Sequence, residues 1–173
     1  MDQTISVVEI VLRLLAAVVC GGIVGWERES KGRPAGLRTH MMVALGSGSF
    51  TLAALDMAGP GADPVRILQG VVTGIGFLGA GSIIQARGEV QGMTTAAGIW
   101  VVGAIGAACG AGDYIMAGVT LVFAFTILFV VKKVEDRAFQ KENTEGLITA
   151  AKDRAPTSEA KHTASGKSGF IGS

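Results

Sequence analysis

The sequence predicts an all-α protein, a polytopic membrane bundle of about five transmembrane helices, and three observations lead there. Charge-free apolar stretches run from Ile67 to Ala86, Val90 to Gly112 and Tyr114 to Val131, each near the roughly 20 residues an apolar helix needs to cross a bilayer. Of the 173 residues 49% are hydrophobic and 17% charged, and the charges are gathered into a few segments; a soluble domain of this size would need charge on every surface helix. Glycine supplies 26 residues and proline only 4, which is not a linker composition but suits membrane helices whose backbones approach closely.

The first span covers about 5–26 and carries Glu9 and Arg13. Ionisable groups inside a span are costly; a spacing of four puts these two on one helical face, so a self-paired ion pair is the cheapest explanation. The segment before it, MDQT, has no basic region, and charged WERES follows it, so the span is expected to be retained rather than cleaved as a signal peptide. The second span, 39–58, is interrupted only by Asp56 near its end. The third, 66–86, is preceded by Asp63 and Pro64, a pair suited to capping a helix start, with Arg66 beside them. Thr94 and Thr95 open the fourth span, 93–111, where they are expected to cap it or to bond across helices, and Trp100 is expected to pack in the bundle. The fifth runs over 114–131. Residues 1–131 therefore form a transmembrane helical domain. Residues 132–173 read as a polar helix extension to about Glu142 and then a disordered tail, too poor in large apolar residues to fold alone.

Lysine and arginine set the expected orientation. Arg28, Lys31, Arg33 and Arg38 follow span one, Arg87 follows span three, and Lys132, Lys133 and Arg137 follow span five. The other side has only Arg66 near a span end, with Asp2, Asp63 and Asp113. By the positive-inside rule the N-terminus is outside and the C-terminus cytoplasmic.

Span three contains Gly74-Ile75-Gly76-Phe77-Leu78-Gly79, a literal GxGxxG string without the strand, helix and acidic residue of a dinucleotide site. Two physical readings remain. Gly70, Gly74, Gly76, Gly79 and Gly81 give the span a face without side chains for helix packing, or they break it at mid-membrane and free carbonyls towards a polar cavity; packing is the commoner use. The SGKS near the end lacks the first glycine of a phosphate loop, Lys161 standing in its place.

The loop GWERESKGRPAGLRTH supports two readings equally. Its arginines set topology and touch anionic lipid, or Glu27, Arg28, Arg38, Thr39 and His40 form a polar cluster at the cytoplasmic mouth, with Glu27 paired to Arg28 or Arg38. Cys20 and Cys109 lie in apolar runs and read as small packing residues. The histidines, His40 and His162, have no partner at a catalytic spacing, so no enzyme is expected. A net charge of +1 argues against a nucleic-acid partner; the expected partners are the lipid bilayer and a second copy or another membrane protein.

Three strings in order, GWERESKGRPAGLRTH, DPVRILQGVVTGIGFLGAGSII and VQGMTTAAGIWVVGAIGAACGAGDY, resemble the signature blocks of the MgtC/SapB family of bacterial membrane proteins. The resemblance runs from about Gly21 to Tyr114 and on through span five. It implies an inner-membrane helical domain linked to growth under magnesium limitation and, in pathogens, to virulence. The family pattern falls on Glu27, Arg28, Ala35, Gly36, Leu37, Arg38, Thr39 and His40, on Asp63, Arg66 and glycines 74, 76, 79 and 81, and on Thr94, Thr95 and Trp100. Many members carry a folded cytoplasmic C-terminal domain, where only a short low-complexity tail is read here. The resemblance implies a non-enzymatic regulator acting through its glycine-rich helices, with a carrier or channel for magnesium or another cation as the alternative. No cofactor is expected, and magnesium is the one candidate ion; it would require several oxygen ligands in near-octahedral array.

Overall fold

The computed structural model describes residues 5–57, 63–86 and 89–131. Five helices follow in order: α1 Val7–Ser30, α2 Leu37–Asp56, α3 Pro64–Gly81, α4 Met93–Ala111 and α5 Tyr114–Thr126, the last continued by a π-helical turn, Ile127–Val131. The all-α expectation holds, and the tail 132–173 lies outside the described residues. Two helices, α1 and α4, are long and apolar enough to cross a membrane, and Leu68–Gly81 and Tyr114–Phe129 are shorter apolar helices.

Local chemistry explains most boundaries. Ser6 starts α1 by accepting the Glu9 amide at 3.2 Å. Beyond Trp26 the helix continues for one more turn, so Glu27 and Arg28 are helical residues rather than loop residues. Gly32, at a φ of 62°, then ends it, and the Arg33 amide donates back to the Arg28 carbonyl at 3.0 Å. Asp63 caps α3 by accepting from the Val65 amide at 3.0 Å, with Pro64 in the first turn, and Asp113 caps α5 by accepting from Met116 at 2.9 Å.

Span three ends sooner than the sequence suggests. The helix stops at Gly81, and Ile84–Ala86 instead pairs antiparallel with Glu89–Gln91, Ile84 opposite Gln91 and Ala86 opposite Glu89. Ile83 and Ile84 extend the apolar run without extending the helix, because β-branched residues suit an extended backbone as well as a buried one.

Helix α4 is the centre of the bundle: Ile99, Val102, Ile105, Ala108 and Cys109 are buried along it. Val102, Ile105 and Ala108 join Ala17 and Val24 of α1, Ala44 of α2 and Ala117 of α5 in one apolar core. The opposite face of α1 turns Val8, Val11, Leu12, Leu15, Val19 and Ile23 outward. A continuous apolar exterior of that kind suits hydrocarbon, not water.

Glycine does bring the helices together, but not where expected. A side chain at Gly21 would lie 2.6 Å from the His40 carbonyl, at Gly25 2.7 Å from the Leu37 Cα, and at Gly48 2.9 Å from the Gly106 carbonyl. One at Gly106 or Gly110 would collide with the carbonyl of Ala44 or of Gly48. The backbone-to-backbone contacts are therefore α1 on α2 and α2 on α4. Among the described residues only Gly79 of the α3 glycines approaches a neighbour, 3.3 Å from the Ala96 carbonyl, while Gly70, Gly74, Gly76 and Gly81 meet nothing within 4 Å. Among the described residues four of the five α3 glycines therefore pack on no helix, and α3 is continuous rather than broken at mid-membrane.

Candidate functional site

Two features stand out: a buried polar cluster where α1, α2 and α4 meet, and an apolar cleft beside α3. In the cluster, Arg28 of α1 is 4% exposed and donates to the Thr95 hydroxyl of α4 at 2.5 Å. His40 of α2 is fully buried, and its Nδ1 lies 2.9 Å from the Gly36 carbonyl, which fixes the ring. A carbonyl can only accept, so Nδ1 carries a proton, and Nε2 faces Gly98, 3.6 Å from where a side chain there would begin. Among the described residues neither Nε2 of His40 nor Nε of Arg28 has a hydrogen-bond partner.

Glu27 is buried beside Arg28, yet its carboxylate pairs with Lys31 one turn on, not with Arg28 or Arg38 as expected. The i,i+4 spacing makes Lys31 the nearest cation on the same helical face. Arg38 and Thr39 are exposed and stand outside the cluster. With α2 beginning at Leu37, the fourth residue, His40, turns inward while the two before it turn out. Glu29 takes a role the sequence did not suggest: its carboxylate accepts from the Leu37 amide at 2.7 Å and so caps α2, whose N-cap, Gly36, has no side chain of its own to do it. Ser47, also missed, donates to the Gly103 carbonyl at 2.5 Å and joins α2 to α4. A hydroxyl within the Gly-Ser-Gly-Ser run was the available signal.

At the other end of the bundle Arg13 pairs with Glu9, as the spacing predicts, and also donates to the Gly110 carbonyl at 3.0 Å. A guanidinium there offsets the negative end of the α4 dipole. Asp63 does the expected capping, while Arg66 is exposed and joins no cluster among the described residues. Thr95 bonds across helices, Thr94 is exposed, and Trp100 is half-exposed at a groove rather than packed in the core. Cys20 and Cys109 are free thiols, the latter in the core. Among the described residues no three His, Cys, Asp or Glu side chains are grouped to hold a metal ion.

The cleft, about 650 Å³, opens between α2 and α3. Met42, Val43 and Phe50 form its α2 wall, and Val71, Ile75 and Leu78 its α3 wall. Gly46, Gly70 and Gly74 line it without side chains and account for its width.

An apolar exterior, glycine-mediated helix contacts and polar groups satisfied inside the bundle define a helical membrane protein. The model of the MgtC family matches residues 14–137, and the chain belongs to that family, whose members are membrane proteins. It is 38% identical over 140 residues to YhiD of Escherichia coli (strain K12), a protein whose name proposes a magnesium transporter; the match covers 77% of this chain and 65% of YhiD. It is 36% identical over 161 residues to SrpB of Synechococcus elongatus, covering 85% and 88% of the two chains. Against MgtC of Salmonella typhimurium the identity is 40% over 114 residues, covering 66% and 48%. The chain thus spans less than two thirds of YhiD and about half of that MgtC. No solved structure matches.

Proposed function

We propose that this protein is a multi-pass bacterial inner-membrane regulator in magnesium-limitation physiology, with its N-terminus outside and C-terminus cytoplasmic. It acts without catalysis, by receiving a transmembrane helix of another membrane protein in the α2–α3 cleft. The observation that carries this reading is that Gly70, Gly74, Gly76 and Gly81 of α3 are covered by no helix among the described residues, beside a cleft of about 650 Å³. Small residues at a membrane helix surface permit close approach by a partner helix, and here that surface is unused among the described residues.

The alternative, a carrier or channel for magnesium or another cation, draws on the name of YhiD. Against it, the carboxylates nearest the bundle serve structural bonds: Glu9 pairs with Arg13, Glu27 with Lys31, and Asp63, Glu29 and Asp113 cap helices. The test replaces Gly70 and Gly74 together by leucine. The variant is expected to fold, because both positions meet open space, and to lose both growth support in low magnesium and co-purification of the partner. Retained function with both leucines present overturns helix docking. A protein-dependent magnesium flux into liposomes, abolished by Glu9→Gln or Asp63→Asn, establishes transport instead.

A further inference from the structure

A second groove, of about 270 Å³, lies next to the first, sharing Val71 and Ile75 with it, between α3 and α4. The two helices touch where Gly79 meets Ala96 and where Ile75 packs on Gly103. Alongside these contacts α4 offers little beyond methyl groups, Ala104 and Ala111 among them, and faces Leu68 and Val72 of α3 across the gap. The small side chains leave a channel that runs along the helix axis.

Its two ends differ in chemistry. One is lined by Trp100, which is half-exposed; the other by Asp113, just past the end of α4. From Trp100 to Ala111 the helix rises by about 16 Å, close to half of the roughly 30 Å hydrocarbon thickness, the depth of one leaflet. An apolar slot one leaflet deep, open to the bilayer, has the shape of an acyl chain. The carboxylate at its mouth selects the head group. One Asp113 oxygen accepts the Met116 amide at 2.9 Å, and a carboxylate has further lone pairs to offer. The nearby Arg13 is occupied by Glu9 and the Gly110 carbonyl, so the Asp113 charge is not neutralised by a side-chain pair among the described residues. An anionic head group would be repelled there, and one with N–H donors would gain a charge-assisted hydrogen bond.

We propose that the α3–α4 groove binds one acyl chain of a phospholipid whose head group carries a primary ammonium, with that ammonium on the Asp113 carboxylate. Bound in this way, the lipid fills the space that the alanines leave and braces the otherwise sparsely packed α3 against α4.

Trp100 reports occupancy directly. The chain has 2 tryptophans, so Trp26→Phe leaves Trp100 as the sole indole. This variant is reconstituted into phosphatidylglycerol vesicles containing a minor fraction of either phosphatidylethanolamine or phosphatidylglycerol with brominated acyl chains, which quench indole on contact. Annular lipid quenches equally in both. The expected result is several-fold stronger quenching by the ethanolamine lipid, lost in Asp113→Asn, in which the side-chain oxygen still caps α5. Ala104→Leu, which fills the slot, is expected to remove the preference too. Equal quenching by the two lipids, or a preference that survives Asp113→Asn, overturns the proposal. A preference that survives Ala104→Leu in a folded variant places the lipid elsewhere and also overturns it.

Discussion

Replacing Gly106 by alanine adds one methyl group where the backbones of α2 and α4 meet. The methyl would run into the Ala44 carbonyl, which is backbone and cannot rotate away. The helices must separate, and overpacking of this kind costs about 1–3 kcal/mol. Separation also stretches the Ser47 hydrogen bond to the Gly103 carbonyl, one turn away, worth about 1 kcal/mol. Alanine is the better helix former by about 1 kcal/mol, which offsets part of the loss. The net expectation is a destabilisation of about 1–3 kcal/mol, roughly a factor of 5 to 150 in the unfolding equilibrium. The paired control is Gly70→Ala, which gains the same propensity and meets open space, so its stability should equal or slightly exceed the parent's. Both are measured by SDS titration in mild detergent micelles, following helicity and tryptophan fluorescence. A Gly106→Ala variant as stable as Gly70→Ala would refute the assignment of close packing to the α2–α4 contact.

Two further substitutions probe the polar cluster and the helix start it adjoins. Thr95→Val keeps the shape of the side chain but leaves the buried Arg28 guanidinium without its hydroxyl acceptor; a loss of about 1.5–3 kcal/mol is expected in the same titration. The Arg28→Met, Thr95→Val pair should recover part of that loss, because no buried charge is then stranded. Glu29→Ala removes the cap of α2 and should cost about 1 kcal/mol, with faster amide hydrogen exchange at Leu37 than at Ala44; unchanged exchange at Leu37 would count against the cap.

Much of the fold is written in short-range chemistry. The α4 boundaries, Met93 and Ala111, follow from a charge-free run closed by Gly92 and Gly112, both at positive φ. The Asp63–Pro64 start of α3 and the Glu9–Arg13 pair follow from spacing alone. What the sequence does not disclose is which helix faces which. Glycine counts single out α3, yet the glycines in contact are Gly21, Gly25, Gly48, Gly106 and Gly110, spread over three other helices, because periodicity defines a face without defining its neighbour. Arg28 and Thr95 are 67 positions apart, and nothing local links them. Glu27 and His40 were legible as members of a polar cluster, but Arg38 and Thr39 were not legible as outward-facing until the first residue of α2 was known. The strand at Ile84–Ala86 was hidden for a different reason: an apolar run ends a helix and begins a hairpin without any change of composition.

The cap that Glu29 gives to α2 bears on how the chain is assembled during synthesis. Donor and acceptor are 8 positions apart, so α1 and α2 can close into a hairpin as soon as Leu37 has left the ribosome. Helix α3 emerges next, but the partners that seat it, Ala96 and Gly103, belong to α4, which is made later. For that interval α3 has only α2 beside it, across the cleft, and its contacts at Gly79 and Ile75 form when α4 arrives. The helix that borders the open cleft is thus seated in full only after α4 is made, which makes nascent-chain insertion the stage at which a foreign helix competes most directly for its surface.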